Sequence, residues 1–130
     1  MSSKKDNNSL DYDQMEEWLK NYFLDPLTSF MDQIQFRIDL YETDRDWIVE
    51  AILNEFHSSD ISVFIEKDKM TITAKKHPPS PDIETKERVI DFPFEIINQK
   101  TTAAFANGIL EVFISKKDTE FGKNRYITLP

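Results

Sequence analysis

Between residues 36 and 116 the apolar side chains fall on every second position, in run after run, and few folds tolerate that pattern. Phe36, Ile38 and Leu40 alternate with Arg37, Asp39 and Tyr41, and Trp47, Val49, Ala51 and Leu53 resume the alternation after Asp44-Arg45-Asp46. Ile61, Val63 and Ile65 make a third run, and Met70, Ile72 and Ala74 a fourth beyond Lys67-Asp68-Lys69. Val89 to Phe94 is a fifth, Thr101 to Ala106 a short sixth, and Ile109 to Ser115 a seventh. A period of two sends alternate side chains to opposite faces of a strand, so each run predicts a strand with one buried face. Short strands at this spacing, with turns between them, predict an antiparallel β-sandwich. Asn107-Gly108 joins the sixth run to the seventh, where a tight turn needs residues that tolerate positive φ. Gly108 is one of only 2 glycines in the chain, which marks that turn as a fixed point.

The flanks read differently. Residues 1 to about 10 are polar and predict a disordered leader. Met15, Trp18, Leu19, Tyr22 and Phe23 then recur at i, i+3, i+4, i+7 and i+8, the period of a helix with one apolar face. Asp11 or Asp13 is suited to cap its start, and Glu16 and Glu17 lie in the first turn, where the helix dipole favours them. Asp25-Pro26 predicts its end, because the residue before proline is pushed out of the helical region. Leu27, Phe30 and Met31 carry the apolar character past that point. After Lys116 the chain is polar as far as Arg125, and then Ile127 and Leu129 appear near its end.

Composition removes several function classes. The formal net charge of -8 repels phosphate backbones, so no nucleic-acid partner is expected. No apolar run approaches the roughly 20 residues that span a bilayer, and no membrane partner is expected. Met1 to Leu10 lacks the apolar core of a secretory signal, which predicts a cytoplasmic address. With 0 cysteines there is no disulfide framework and no thiol chemistry. His57 and His77, the only histidines, sit in polar segments without metal-ligand spacing. There is no glycine-rich phosphate loop and no nucleophile elbow. The expectation is a chain with no catalytic residues, no metal and no cofactor, and therefore not an enzyme.

One stretch carries a resemblance. Ala103-x-x-x-Asn107-Gly108-Ile109-Leu110 resembles the Ala-x-x-x-Asn-Gly-Val-Leu segment of the small heat shock proteins, near the end of their α-crystallin domain. Ile127-Thr128-Leu129 is similar to that family's C-terminal Ile-x-Ile/Val/Leu anchor. Ile38-Asp39-Leu40-Tyr41-Glu42-Thr43, Lys69-Met70-Thr71-Ile72-Thr73 and Phe92-Pro93 resemble further family segments, so the likeness covers Phe36 to Lys116. It implies an immunoglobulin-like α-crystallin sandwich at 36–116, an N-terminal arm at 1–35 and a C-terminal extension at 117–130.

The sequence departs from the family at Asn54-Glu55-Phe56, where a Pro-Gly is usual, and at Ala74, where a glycine is usual. Bacterial members also carry a long loop whose strand pairs with the partner subunit; here Lys76 to Lys86, about ten residues, fills the gap. The dimer mode stays open. The arm, from Met15-Glu16-Glu17-Trp18 through Phe23-Leu24-Asp25-Pro26, resembles the spore-coat and germination proteins of this superfamily.

The resemblance implies an ATP-independent holdase that forms homo-oligomers, with a role in sporulation. The alternative is a spore-coat or germination-associated assembly protein with little chaperone activity, and a third reading is a co-chaperone that docks on a larger chaperone. Ile127 and Leu129 would anchor in a neighbour's groove lined by Val63, Ile65, Thr102 and Ala104; the plainer alternative is a tail frayed or folded back on its own domain. Met15, Trp18, Leu19, Tyr22 and Phe23 would face clients or other subunits, or else form ordinary core. Ala103, Asn107, Gly108 and Leu110 are expected to be structural.

Overall fold

The computed structural model describes residues 12–76 and 85–129. In chain order it contains helices α1 (Tyr12–Leu24) and α2 (Pro26–Ile34), then strands β1 (Ile38–Glu42) and β2 (Asp46–Ile52). A 3-10 turn at Ser58–Asp60 leads to β3 (Ile61–Glu66) and β4 (Lys69–Ala74). Then follow β5 (Lys86–Asp91), β6 (Gln99–Ala106), β7 (Ile109–Thr119) and a short β8 (Arg125–Tyr126). The strands form two 4-stranded antiparallel sheets, ordered β1-β2-β7-β6 and β5-β4-β3-β8. The alternation read from the sequence is the inward face of this sandwich: Val49, Ala51, Val63, Ile65, Met70, Ile72, Leu110, Val112 and Ile114 are all buried.

The fifth run differs in position. Its strand begins at Lys86 and ends at Asp91, so Arg88 and Ile90 point inward while Val89 points out. An arginine on the inner face hid the start of this strand from a reading based on apolar residues. The sixth and seventh strands also extend past the predicted runs, to Gln99 and Thr119.

Asp25-Pro26 both ends one helix and begins another. Asp25 is extended (φ -73, ψ 121), and its carboxylate accepts a hydrogen bond from Leu27 N at 2.9 Å. Proline at the first helical position lacks only an N–H that has no intrahelical partner, and its fixed φ suits the helix. The dipeptide read as a stop is thus also the cap of α2. The expected caps at Asp11 and Asp13, the polar leader and His77 lie outside the described residues or side chains.

Two sheets packed face to face leave open seams along their sides. One seam, between β1 and β5, is closed by the arm. Met15 is only 2% exposed, and the Trp18 ring stacks on Phe92 with centroids 5.1 Å apart. The buried Arg88 guanidinium donates to Asp32 Oδ1 at 2.7 Å, to the Phe36 carbonyl at 2.6 Å and to the Tyr22 hydroxyl at 3.0 Å. One side chain of β5 thereby ties α1, α2 and the lead into β1 to the sandwich. Gln35 Oε1 accepts from Glu87 N at 3.0 Å and covers one donor on the β5 edge.

The β6–β7 connection is a two-residue hairpin, with Ala106 paired to Ile109 and positive φ at Asn107 (54°) and Gly108 (79°). Positive φ at both central positions is the signature of the type I′ turn, whose twist matches that of the strands. Gly108 O also accepts from Leu53 N at 2.7 Å, and a Cβ on Gly108 would lie 2.9 Å from Asn54 Cα. Gly108→Val is therefore expected to destabilise the fold by about 2 kcal/mol or more, from the positive φ and the backbone collision together. Urea unfolding of the variant checks this, and an unchanged midpoint would contradict the turn.

Candidate functional site

Among the described residues no three His, Asp or Glu side chains are grouped to hold a metal, and no helix is long and apolar enough to cross a membrane. His57 opens the 3-10 turn, with its backbone N–H bonded to Asp60 Oδ2 at 2.9 Å. Tyr41 donates to Glu50 and Glu111 at 3.3 Å each; burial and these two carboxylates push its phenol up to about 12. Burial also raises the Tyr22 phenol, against the pull of Arg88. Both hydroxyls stay neutral at physiological pH and act as hydrogen-bond donors or acceptors only. The features with functional potential are two apolar surfaces, one at each end of the chain.

The first is the C-terminal tail. Beyond β7 the chain turns back at Gly122, where any Cβ would strike the Asn98 side-chain oxygen, and Glu120 N donates to Asn98 O at 2.9 Å. Arg125 then fixes the return. Its guanidinium donates to the carbonyls of Ile97 (2.8 Å) and Gln99 (2.9 Å) at the start of β6, and pairs with Glu120 at 3.2 Å. Tyr126 pairs with Phe64, the rings 4.7 Å apart, and Ile127 N donates to Val63 O at 2.8 Å. Ile127 is 8% exposed and belongs to the core, and Leu129 packs partly buried against it. The structure thus seats Ile127 and Leu129 on their own chain, against the seam between β3 and β6.

The residues expected to line that groove divide. Val63 and Ile65 are buried on the inner face of β3. On β6 the inward residues are Thr101 and Ala103; Thr102, though exposed, still borders the cleft beside Ile127, and Ala104 is half-buried on the opposite face. The parity of β6 is one residue from the expected one, and such a shift exchanges the two faces of a strand. Ala103 and Leu110 lie in the core beside the Asn107-Gly108 turn.

The second surface is the arm. Met15, Trp18, Leu19 and Tyr22 pack against the sandwich core, and of the expected outward face only Phe23 is exposed. The apolar residues left open are Phe23, Leu24, Leu27, Phe30 and Ile34, with Leu24 at 70% and Leu27 at 61%. Leu27, Phe30 and Ile34 are spaced i, i+3, i+7 and share one side of α2. The sequence does carry this signal, because Leu27, Phe30, Met31 and Ile34 follow the Asp25 cap at helical spacing; Pro26 masks it, since a proline that ends one helix can equally occupy the first position of the next.

No protein-family model matches the chain. Spore coat protein M of Bacillus subtilis is 29% identical over 130 residues, which cover 100% of this chain and 94% of that protein. Small heat shock protein C2 of Rickettsia felis is 31% identical over 102 residues, covering 70% of this chain and 65% of that protein. Among solved structures, the Del-C4 mutant of hsp14.1 from Sulfolobus solfatataricus superposes with a TM-score of 0.55 at 20% identity, covering 82% of this chain and 99% of that one. The hspA of Xanthomonas axonopodis gives 0.50 at 24% identity, covering 65% and 95%. These likenesses establish the fold as the α-crystallin type of sandwich.

If the tail is part of the native core, trimming it costs stability. Ile127→Ala is expected to lower the unfolding free energy by roughly 2–5 kcal/mol, as for other buried isoleucines. Chemical denaturation reads this directly, and a wild-type midpoint would mean that the tail does not rest on β3.

Proposed function

We propose, for a chain similar in fold and sequence to the small heat shock proteins and along its whole length to a spore-coat relative, that it is an ATP-independent holdase. It self-assembles and retains partly unfolded proteins by apolar contact. One observation carries this reading: Phe23 and Leu24 at the end of α1 and Leu27, Phe30 and Ile34 along one side of α2 are all exposed. Large apolar side chains left exposed in such numbers on a folded domain mark an interaction site. Covering one such side chain contributes about 1.5–3 kcal/mol before ordering costs, so a single contact is weak and reversible. Many arms in one assembly would act together and hold a client without a chemical cycle. That suits a protein for which neither nucleotide nor cofactor is proposed.

Self-association would draw on the tail as well. Ile127 and Leu129 leave their own groove and enter that of a neighbour, hinged on the polar stretch from Lys117 to Asn124. The accepting groove would be lined by Val63 and Ile65 together with Thr101 and Ala103.

A second reading is favoured by a separate observation. The likeness to Spore coat protein M extends over all 130 residues, arm and tail included, and not over the sandwich alone. On that reading the same two surfaces join the chain to other proteins of a spore coat, and its address is the coat rather than the cytoplasm.

Light scattering from a heat-aggregating client, with no ATP present, separates the two. The holdase reading expects suppression at near-stoichiometric subunit ratios, and expects Leu27→Ser with Phe30→Ser to abolish it while the β-sheet spectrum persists. No suppression by the intact protein would leave the coat-assembly reading. For the tail, Ile127→Ala with Leu129→Ala is expected to lower the mass seen by light scattering of the protein alone; an unchanged mass would refute the anchor role.

A further inference from the structure

We propose that the outward face of the β5-β4-β3-β8 sheet is a docking surface for a basic amphipathic helix of another protein. In the strand register Val89 lies opposite Thr71, Thr71 opposite Phe64, and Phe64 opposite Tyr126. These side chains form one row that crosses the strands instead of following them. At about 4.8 Å between strands the row spans roughly 14 Å, the length of some ten residues of helix. Val89 is 48% and Tyr126 68% exposed, with the Phe64 ring half-buried beside Tyr126. At the β5 end the row runs into a groove between the arm and the sheet, where Leu27 and Val89 share the wall with Trp18 and Met31.

Charge decides what such a strip would accept. The rows to either side are Asp91–Lys69–Glu66 and Glu87–Thr73–Ser62, each about 7 Å from the apolar one. Lys69 is held by Asp91 at 2.8 Å, with Asp68 and Glu66 also nearby. Arg88 in the groove is already paired with Asp32, and Asp25 adds a further carboxylate at the groove wall. The strip's floor is thus Val89, Phe64 and Tyr126 around the Thr71 hydroxyl, and each margin carries a net charge of one negative unit: Asp91 and Glu66 against Lys69 on one side, Glu87 on the other. A helix of about 10 Å diameter lying along it would set apolar residues at i, i+3/i+4 and i+7 on the floor and its flanking side chains over the carboxylates. Lysine or arginine at the flanks completes the match. A second copy of this chain is a poor occupant: α1 carries Glu16 and Glu17 against Lys20, α2 carries Asp32 and no base, and the whole chain is at -8.

The surface meets the tail at Tyr126, whose ring faces outward beside Phe64 while Ile127 is buried, and the proposal does not depend on chaperone activity. The probe is a fluorescently labelled synthetic helix of leucine and lysine at helical spacing, compared by anisotropy with a leucine–glutamate twin. The lysine helix is expected to bind, more weakly as salt rises, and the glutamate twin not to bind. Glu87→Lys with Val89→Lys should weaken binding by roughly tenfold or more, since it removes apolar contact and reverses the margin. Asp44→Lys with Asp118→Asn makes the same change of net charge elsewhere on the surface and should leave the affinity nearly unchanged. The proposal fails if neither helix binds, if both bind alike, or if the second variant loses as much as the first. That last result would show only a general attraction of cations to an acidic protein.

Discussion

A sandwich of two short sheets cannot close its own sides, and the rest of this molecule follows from how those sides are closed. The inward residues of β1 and β5 on one side, and of β3 and β6 on the other, would meet water if the sheets stood alone. The chain uses its two ends. The arm covers the first seam with Met15, Trp18 and Tyr22, and the tail covers the second with Ile127 and Leu129. Segments that a reading by analogy would assign to partners thus complete the core of a single chain.

Each closure is fixed by an arginine, and the two differ in kind. Arg88 is buried and fully engaged, with Asp32, Tyr22 and the Phe36 carbonyl around it. Removing one partner of such a buried pair leaves an uncompensated charge, which typically costs about 3–5 kcal/mol. Arg125 holds backbone carbonyls near the surface and has only an exposed-side carboxylate, Glu120, as its ionic partner. Its charge is spread over several such bonds, each charged hydrogen bond contributing about 1.5–3 kcal/mol. A third buried cation, Lys116, sits over the Trp47 ring at 4.3 Å and bonds Glu42 Oε2 and the Thr43 carbonyl, which fastens the β1–β2 turn to β7. Each of these three cations joins segments distant in sequence.

The sandwich was legible because period-two alternation and the Asn107-Gly108 turn depend on local rules that tertiary packing does not override here. What escaped was set by contacts the sequence does not display. The start of β5 was hidden because its inward Arg88 is compensated from α2, and no local pattern announces that partner. The parity of β6 was misjudged because Thr101, Thr102, Ala103 and Ala104 are all small, so neither face stands out as apolar. Helix α2 was missed through one residue, Pro26, whose role depends on the Asp25 carboxylate turning to cap Leu27 N. The arm's inward and outward faces then exchanged significance: the aromatic stripe that attracts attention packs inside, and the stripe on α2 faces out.

The tail's position on its own β3 has a bearing on the thermodynamics of assembly. A segment tethered a few residues from its groove is present there at an effective concentration in the millimolar range. A neighbour's tail brings the same Ile127 and the same hydrogen bond to Val63, so one replacing the other forms no new bond and breaks none on balance. Domain swapping of this kind is isoenergetic at the contact itself. The sign of the association free energy must then come from elsewhere on the surface, and the exchanged tail extends the assembly by linking chains that those other contacts have already brought together.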